Sequence, residues 1–207
     1  MAWTHCTPLP SAAVVAVTGR DARTFMQGQL TNDLLGLERH PGMLAAYCNR
    51  QGRVLAIPRL ATDADGVLLV LNRRLAATLV AQISQYVLRA DVRLADRSDQ
   101  LCVSGLMGTG PDPQEPSPVP ATPGVTRMVA SARRMLLLGA RSTLDALLAP
   151  VPQATAADWD RSCIADGEPQ VEPETAALWL PQMLNLDLLG AVSFSRGPNA
   201  ASRAAEP

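Results

Sequence analysis

Phe25-Met26-Gln27-Gly28-Gln29-Leu30-Thr31-Asn32-Asp33-Leu34 follows a helix start at Asp21-Ala22-Arg23. Its apolar residues Phe25, Leu30 and Leu34 do not form the i, i+3, i+4, i+7 stripe of an amphipathic helix. Between them stand Gln27, Gln29, Thr31, Asn32 and Asp33: amides, a hydroxyl and one carboxylate. Amides both donate and accept, which suits the edge of a flat heterocycle, and Gly28 would let another segment or a ligand approach the backbone. Thr31, Asn32 and Asp33 are equally helix-capping types. Ligand contact and capping are both open at this point.

Working outward, Ala12 to Val17 is a continuous apolar run that reads as a buried strand ended by Thr18-Gly19. Downstream, His40-Pro41-Gly42 breaks the chain and Met43 to Cys48 reads as a strand. Asn49-Arg50-Gln51-Gly52-Arg53 is a hairpin turn in which Gly52 supplies a positive φ. Val54 to Leu60 returns, with Pro58 hinting at an edge, and Asp63 to Gly66 turns into Val67 to Leu71. Leu75, Leu79, Ile83 and Val87 predict a helix from about Arg74 to Leu88. Strands are expected at Asp91–Ala95 and Leu101–Leu106, then a hairpin from Val125–Val129 to Arg134–Leu138. Helices follow at Ser142–Leu148 and Asp158–Ala165. Without steady βαβ alternation, this order favours an α+β fold with antiparallel sheets. The expected organisation is a first α+β half (1–107), a Pro/Gly-rich linker (108–123), a second half (124–195) and a disordered tail (196–207).

The chain has 207 residues, 47% of them hydrophobic and 18% charged, which is enough for a real core and excludes a disordered chain. Its basic residues are all Arg, and the net charge of −1 gives no nucleic-acid signature. Residues 20–97 carry more Arg than acid and residues 98–207 the reverse, a weak attraction for an anionic ligand tail. Cys6, Cys48, Cys102 and Cys163 form no C-x-x-C pair, and only His5 and His40 are available, so no metal site is expected. No run of about 18 apolar residues and no leader pattern is present, which makes a reducing, cytoplasmic setting the expectation.

Three segments resemble the YgfZ-type folate-binding proteins, relatives of the aminomethyltransferase (T-protein) of the glycine cleavage system. They are Thr18 to Asp21 continuing through Met26 to Leu34, then Leu44 to Arg53, then Leu180 to Phe194. The resemblance implies ferredoxin-like α+β subdomains around a central cavity that holds tetrahydrofolate. It also implies a role in maintaining iron–sulfur enzymes, notably those that modify tRNA. On that reading Gln27, Gln29 and Asn185 face the pterin, and Thr31, Asn32, Asp33, Asn49 and Arg53 complete the candidate site. The glutamate tail would favour Arg50, Arg53 or Arg59, because charge-assisted bonds to carboxylates are strong.

Two departures from the family pattern shape the functional expectation. The aminomethyltransferases carry an Asp pair just after the hairpin glycines, where this chain has Val54-Leu55-Ala56-Ile57. No general base can be built there, so no catalytic residue is assigned. YgfZ-type proteins continue with Lys-Gly-Cys-Tyr-x-Gly-Gln-Glu, whereas this chain runs Phe194-Ser195-Arg196-Gly197-Pro198, with proline in the place of the thiol. The leading expectation is a folate-binding protein without the family's reactive Cys. A folate-dependent one-carbon transferase and a ligand-free interaction module are the alternatives. Expected partners are folate and iron–sulfur proteins, with self-association through the face a C-terminal β-barrel would cover; direct nucleic-acid or membrane contact is not expected.

Overall fold

The structure is a computed structural model that describes residues 3–40, 42–108 and 121–194. Most of the expected linker, the whole expected tail and Pro198 lie outside the described residues.

The apolar run becomes β2 (Ala12–Thr18), paired antiparallel on one side with β7 (Gly66–Asn72) and on the other with β8 (Arg93–Asp96). Ala13, Val15 and Val17 join the core under the helices, and Val14 and Ala16 join the core between the two sheets. A strand covered on both faces has no solvent side to mark with polar residues, which is why the run shows no alternation. The sheet continues from β7 to β6 (Arg59–Asp63) and β3 (Met43–Leu44). Helix α1 (Ala22–Gln29) lies between β2 and β6 in the chain, and α2 (Arg73–Ser84) between β7 and β8. Strand order β6-β7-β2-β8 with two crossing helices is the ferredoxin-like βαββαβ arrangement.

Local chemistry sets the element ends. The Asn72 Oδ1 accepts the Arg74 backbone N–H at 2.9 Å and starts α2, whose Leu75, Ala76, Leu79 and Ile83 are buried. The helix stops at Ser84, short of the expected Leu88, and Tyr86 and Leu88 are exposed. Asp21 does not cap α1; its Oδ2 accepts from the Asp91 N–H at 2.8 Å and ties the helix start to the approach of β8. The strand expected over 43–48 divides into β3 and β4 (Tyr47–Cys48), and that over 54–60 into β5 (Val54–Ala56) and β6. Pro58 lies at this break; it has no N–H to offer, while its carbonyl accepts from the Ala45 N–H at 3.0 Å. The turn joining β4 to β5 has Gly52 at φ 73°, as its position requires.

A second antiparallel sheet has the order β1 (Trp3–Pro8), β9 (Cys102–Gly108), β11 (Arg134–Gly139), β10 (Thr126–Ser131). Strands from both sides of residues 109–120 therefore join one sheet, and β1 is an element the sequence reading does not contain. Helix α3 (Arg141–Leu148) covers its outer face with Leu144 and Leu148. Helix α4 (Ala156–Ala165) begins just before the expected Asp158. Thr155 is its N-cap, and Asp158 completes a reciprocal capping box. Trp159 and Cys163 of α4 enter the layer between the sheets. Gly105 of β9 makes this possible, because a Cβ there would stand 2.4 Å from the Trp159 ring.

Candidate functional site

The amide-rich stretch and the 180–194 segment do come together, mostly through bonds to each other. Thr31 Oγ1 donates to the Ala191 carbonyl at 2.7 Å and accepts from the Ala46 N–H at 2.8 Å. Asn32 Nδ2 donates to the carbonyls of Leu44 and Gly190, both at 2.7 Å. The Ser193 N–H returns to the Thr31 carbonyl at 3.0 Å. Gln27 donates to Asp33 Oδ1 at 3.0 Å and accepts from the Leu34 N–H at 2.7 Å, and Asp33 also accepts from the Leu35 N–H, capping the 3-10 turn Leu34–Gly36. Asn49 Oδ1 accepts from the N–H groups of Gln51 and Arg53 within its hairpin, and Arg53 Nη1 donates to the Leu178 carbonyl at 2.6 Å.

Gln29 and Asn185 differ from these. Neither side chain makes a hydrogen bond among the described residues. Gln29 is half-buried, while Asn185 is exposed and closes the 3-10 turn Pro181–Leu184 in the left-handed region, at φ 54°. At Gly28 a Cβ would meet nothing within 4 Å, so no described segment of the protein requires its small size.

Two cavities flank a buried ion network elsewhere. The smaller, about 270 Å³, opens between the sheets at the end of β7. Leu9, Ile57, Leu71, Leu136 and Trp159 form apolar walls, and Asn72, Asp160, Glu168, Gln170 and Glu172 supply polar atoms. The larger, about 640 Å³, is bounded by Asn32, Arg39, His40, Leu44, Val129 and Gly190. Arg59 and Glu168 line both. Arg50, Arg53 and the remaining sequence-derived residues line neither, so of that set only Asn32 and Arg59 border these two cavities.

The network between the cavities carries alternating charge. Arg59 Nη2 pairs with Glu168 Oε2 at 2.6 Å and its Nη1 donates to the Gly42 carbonyl at 2.8 Å. Arg134, only 1% exposed, reaches Glu168 at 2.5 Å, Asp166 at 2.8 Å and the Cys163 sulfur at 2.8 Å, and stacks over Trp159 at 5.3 Å. Burial alone would raise the Glu168 carboxyl; the Arg59 charge and hydrogen bond, joined by Arg134, outweigh it and hold the group below its ordinary range. Asp166 is likewise pulled up by burial and held lower by hydrogen bonds from Ser131 and Arg134. Burial pushes the Cys163 thiol up to about 11 against the opposing Arg134 charge, so it is a protonated core thiol at neutral pH. Among the described residues no cluster of His, Cys, Asp or Glu can hold a metal ion, and no helix is long and apolar enough to cross a membrane.

Arg134, Glu168 and Trp159 are absent from the sequence-derived site. Arg134 had one visible signal, an arginine opening the otherwise apolar run Met135 to Leu138.

The class is defined by the fold: antiparallel α+β of the aminomethyltransferase T-protein type. The glycine cleavage system aminomethyltransferase T of Bartonella henselae superposes with a TM-score of 0.55 at 16% identity, over 73% of this chain and 48% of that one. In sequence the chain is similar to the tRNA-modifying protein YgfZ of Vibrio atlanticus, 27% identical over 193 residues, and to that of Cronobacter sakazakii, 26% identical over 200. These alignments cover 89% of this chain and 59% and 61% of the relatives. The chain thus spans about three fifths of the length of the curated relatives it matches. No protein-family model matches it. The resemblance read from the sequence is borne out.

Proposed function

We propose that the protein binds tetrahydrofolate in the cavity between its two sheets and acts in the cytoplasm in support of tRNA modification, through the upkeep of iron–sulfur enzymes. One observation carries the placement. Ile57, at the end of the stretch where the resemblance puts the aminomethyltransferases' Asp pair, lines this cavity. The lining suits the ligand: apolar walls and the Trp159 ring for a flat pterin, with amides and carboxylates for its edge. Asn72 and Gln170 would meet the pterin edge, and Glu168 lines the same space paired with Arg59. A bound tetrahydrofolate would supply nitrogen atoms able to carry a one-carbon group. With Ile57 in place of an acid, nothing at that position takes a proton from such a group. This favours binding over aminomethyl transfer.

The test is titration of the full chain with tetrahydrofolate, followed by isothermal calorimetry. Saturable binding is expected, abolished by Ile57→Trp, which fills the cavity, and unchanged by Gln29→Ala and Asn185→Ala. Loss in those two variants alone would move the site to the amide-rich stretch. No saturable binding in any form would leave the interaction module.

Self-association is the second element of the proposal. Leu178, Trp179, Met183, Leu188 and Phe194 are large apolar residues of one segment, with exposures rising to 82% at Leu188. Sedimentation should show a concentration-dependent mass that Leu188→Glu with Met183→Glu lowers.

A further inference from the structure

One wall of the smaller cavity is a single run of chain. Glu168, Pro169, Gln170, Val171 and Glu172 line it in succession, whereas the other walls stand mainly on the strands and helices of the two sheets. Gly167 and Ala177 bound the run, both in the left-handed region at φ 67° and 65°. Its ends are tied, because the Glu168 N–H donates to the Cys163 carbonyl and the Ala177 N–H to the Val54 carbonyl. Between these two bonds, among the described residues, no backbone–backbone hydrogen bond joins the run to another element. The N–H groups of Thr175 and Ala176 only close its own turn onto the Glu172 carbonyl, and Pro169 and Pro173 have no N–H to offer. Side chains hold the middle instead. Val171 is buried in the core under the helices, and Asn72 Nδ2 donates to its carbonyl at a long 3.4 Å. Arg74, in the first turn of α2, pairs with Glu172 at 3.3 Å and with Glu174, and all three of these side chains reach solvent. The cavity's 270 Å³ is just under the range of about 300–1,000 Å³ in which drug-sized ligands are buried. A ligand of folate size must widen it, and the wall without a hydrogen-bond ladder yields before those that have one.

We propose that residues 169–176 are a hinged wall of this cavity, turning about Gly167 and Ala177, and that Arg74 is the clip that holds it closed. The inference rests on the folate reading above only for the identity of what enters. Glu168 stays with Arg59 and Arg134 as the fixed inner end, while the outer end swings once the two surface ion pairs of Arg74 part. Hinges of this kind are a few residues at element ends that absorb a change in φ and ψ. A ligand that binds the widened cavity has its affinity reduced by the fraction of molecules the clip keeps closed. Arg74 touches no part of the cavity lining except Glu172, so its effect on a ligand passes through the wall.

The experiment reads the wall in the full chain without ligand, by alkylation of the thiol in Val171→Cys located by peptide mass, with and without Arg74→Gln. Arg74→Gln should speed labelling at position 171 by roughly two- to fivefold, the scale of exposed ion pairs, and leave the buried Cys6 unchanged. Raising sodium chloride to about 0.5 M should speed it in the same way by screening the pairs, with no further gain in Arg74→Gln. Hydrogen exchange of the peptide 170–176 in the protein with Val171 intact gives the same readout should the new thiol itself loosen the wall. By calorimetry, Arg74→Gln should bind tetrahydrofolate tighter by the same factor, whereas a residue with a merely structural role would weaken it when removed. Labelling and exchange that ignore both Arg74→Gln and salt overturn the hinged wall, as does equal acceleration at Cys6, the mark of global unfolding. Faster labelling with no gain in affinity overturns the clip's control of the ligand. A wall that responds in a protein that binds no tetrahydrofolate supports the hinge and overturns the folate reading alone.

Discussion

Thr31 and Arg134 are both buried polar residues, and the protein uses them in opposite ways. Thr31 spends its hydroxyl on two backbone groups, one from each neighbouring segment, and so closes the seam between residues 30–33 and 190–193. Arg134 holds two carboxylates and a thiol beside a cavity and remains part of its wall. The first arrangement completes a fold; the second shapes a space. Polar residues clustered in sequence here are mostly mortar, whereas those bordering the cavities come from distant segments.

The contrast can be broken hardest at Arg134. Arg134→Ala leaves Asp166 without its ion-pair partner and Glu168 with one cation instead of two, a change expected to cost about 3–5 kcal/mol, read as a lower urea midpoint. Thr31→Val keeps the shape but strands the Ala191 carbonyl and the Ala46 N–H. It should cost about 2–3 kcal/mol and leave folate affinity unchanged in the protein that remains folded. A drop in affinity without loss of stability would show the seam to be a ligand site after all.

Acid sharpens the same comparison. The carboxyls of Glu168 and Asp166 are held below their ordinary values in the folded state. Their stabilisation is complete above the unfolded-state values of about 4 and is lost as pH falls through the folded-state values. Thermal unfolding from pH 7 to 3 should show the melting temperature falling on the acid side. Glu168→Gln should start lower at pH 7 and descend less steeply. The smallest effect is expected at Gln29→Ala, within about 0.5 kcal/mol, since its side chain bonds to no described residue.

The ferredoxin-like half was legible because its signals are local. An unbroken apolar run gave β2, four-residue spacing gave α2, and Asn49 to Gly52 gave the hairpin. Strand β1 was not, because Trp3 to Pro8 mixes buried and exposed residues without a clear period and ends in proline. The motifs that carry the resemblance include residues 30–33 and 190–193, which the fold joins through Thr31, Asn32 and Ser193. Their chemistry was open to two readings, since an amide suited to a pterin edge is equally suited to a backbone carbonyl. Arg59, Arg134 and Glu168 were beyond reach as a set. Each stands alone in its own segment, and only the packing of the two sheets makes them neighbours.

Where β9 runs beneath α4, a single hydrogen atom in place of a methyl lets the Trp159 indole settle against the strand. The position of that ring, one wall of the proposed pterin slot, is therefore set by the main chain of β9. Any side chain at Gly105 would displace the ring and alter the space beside it.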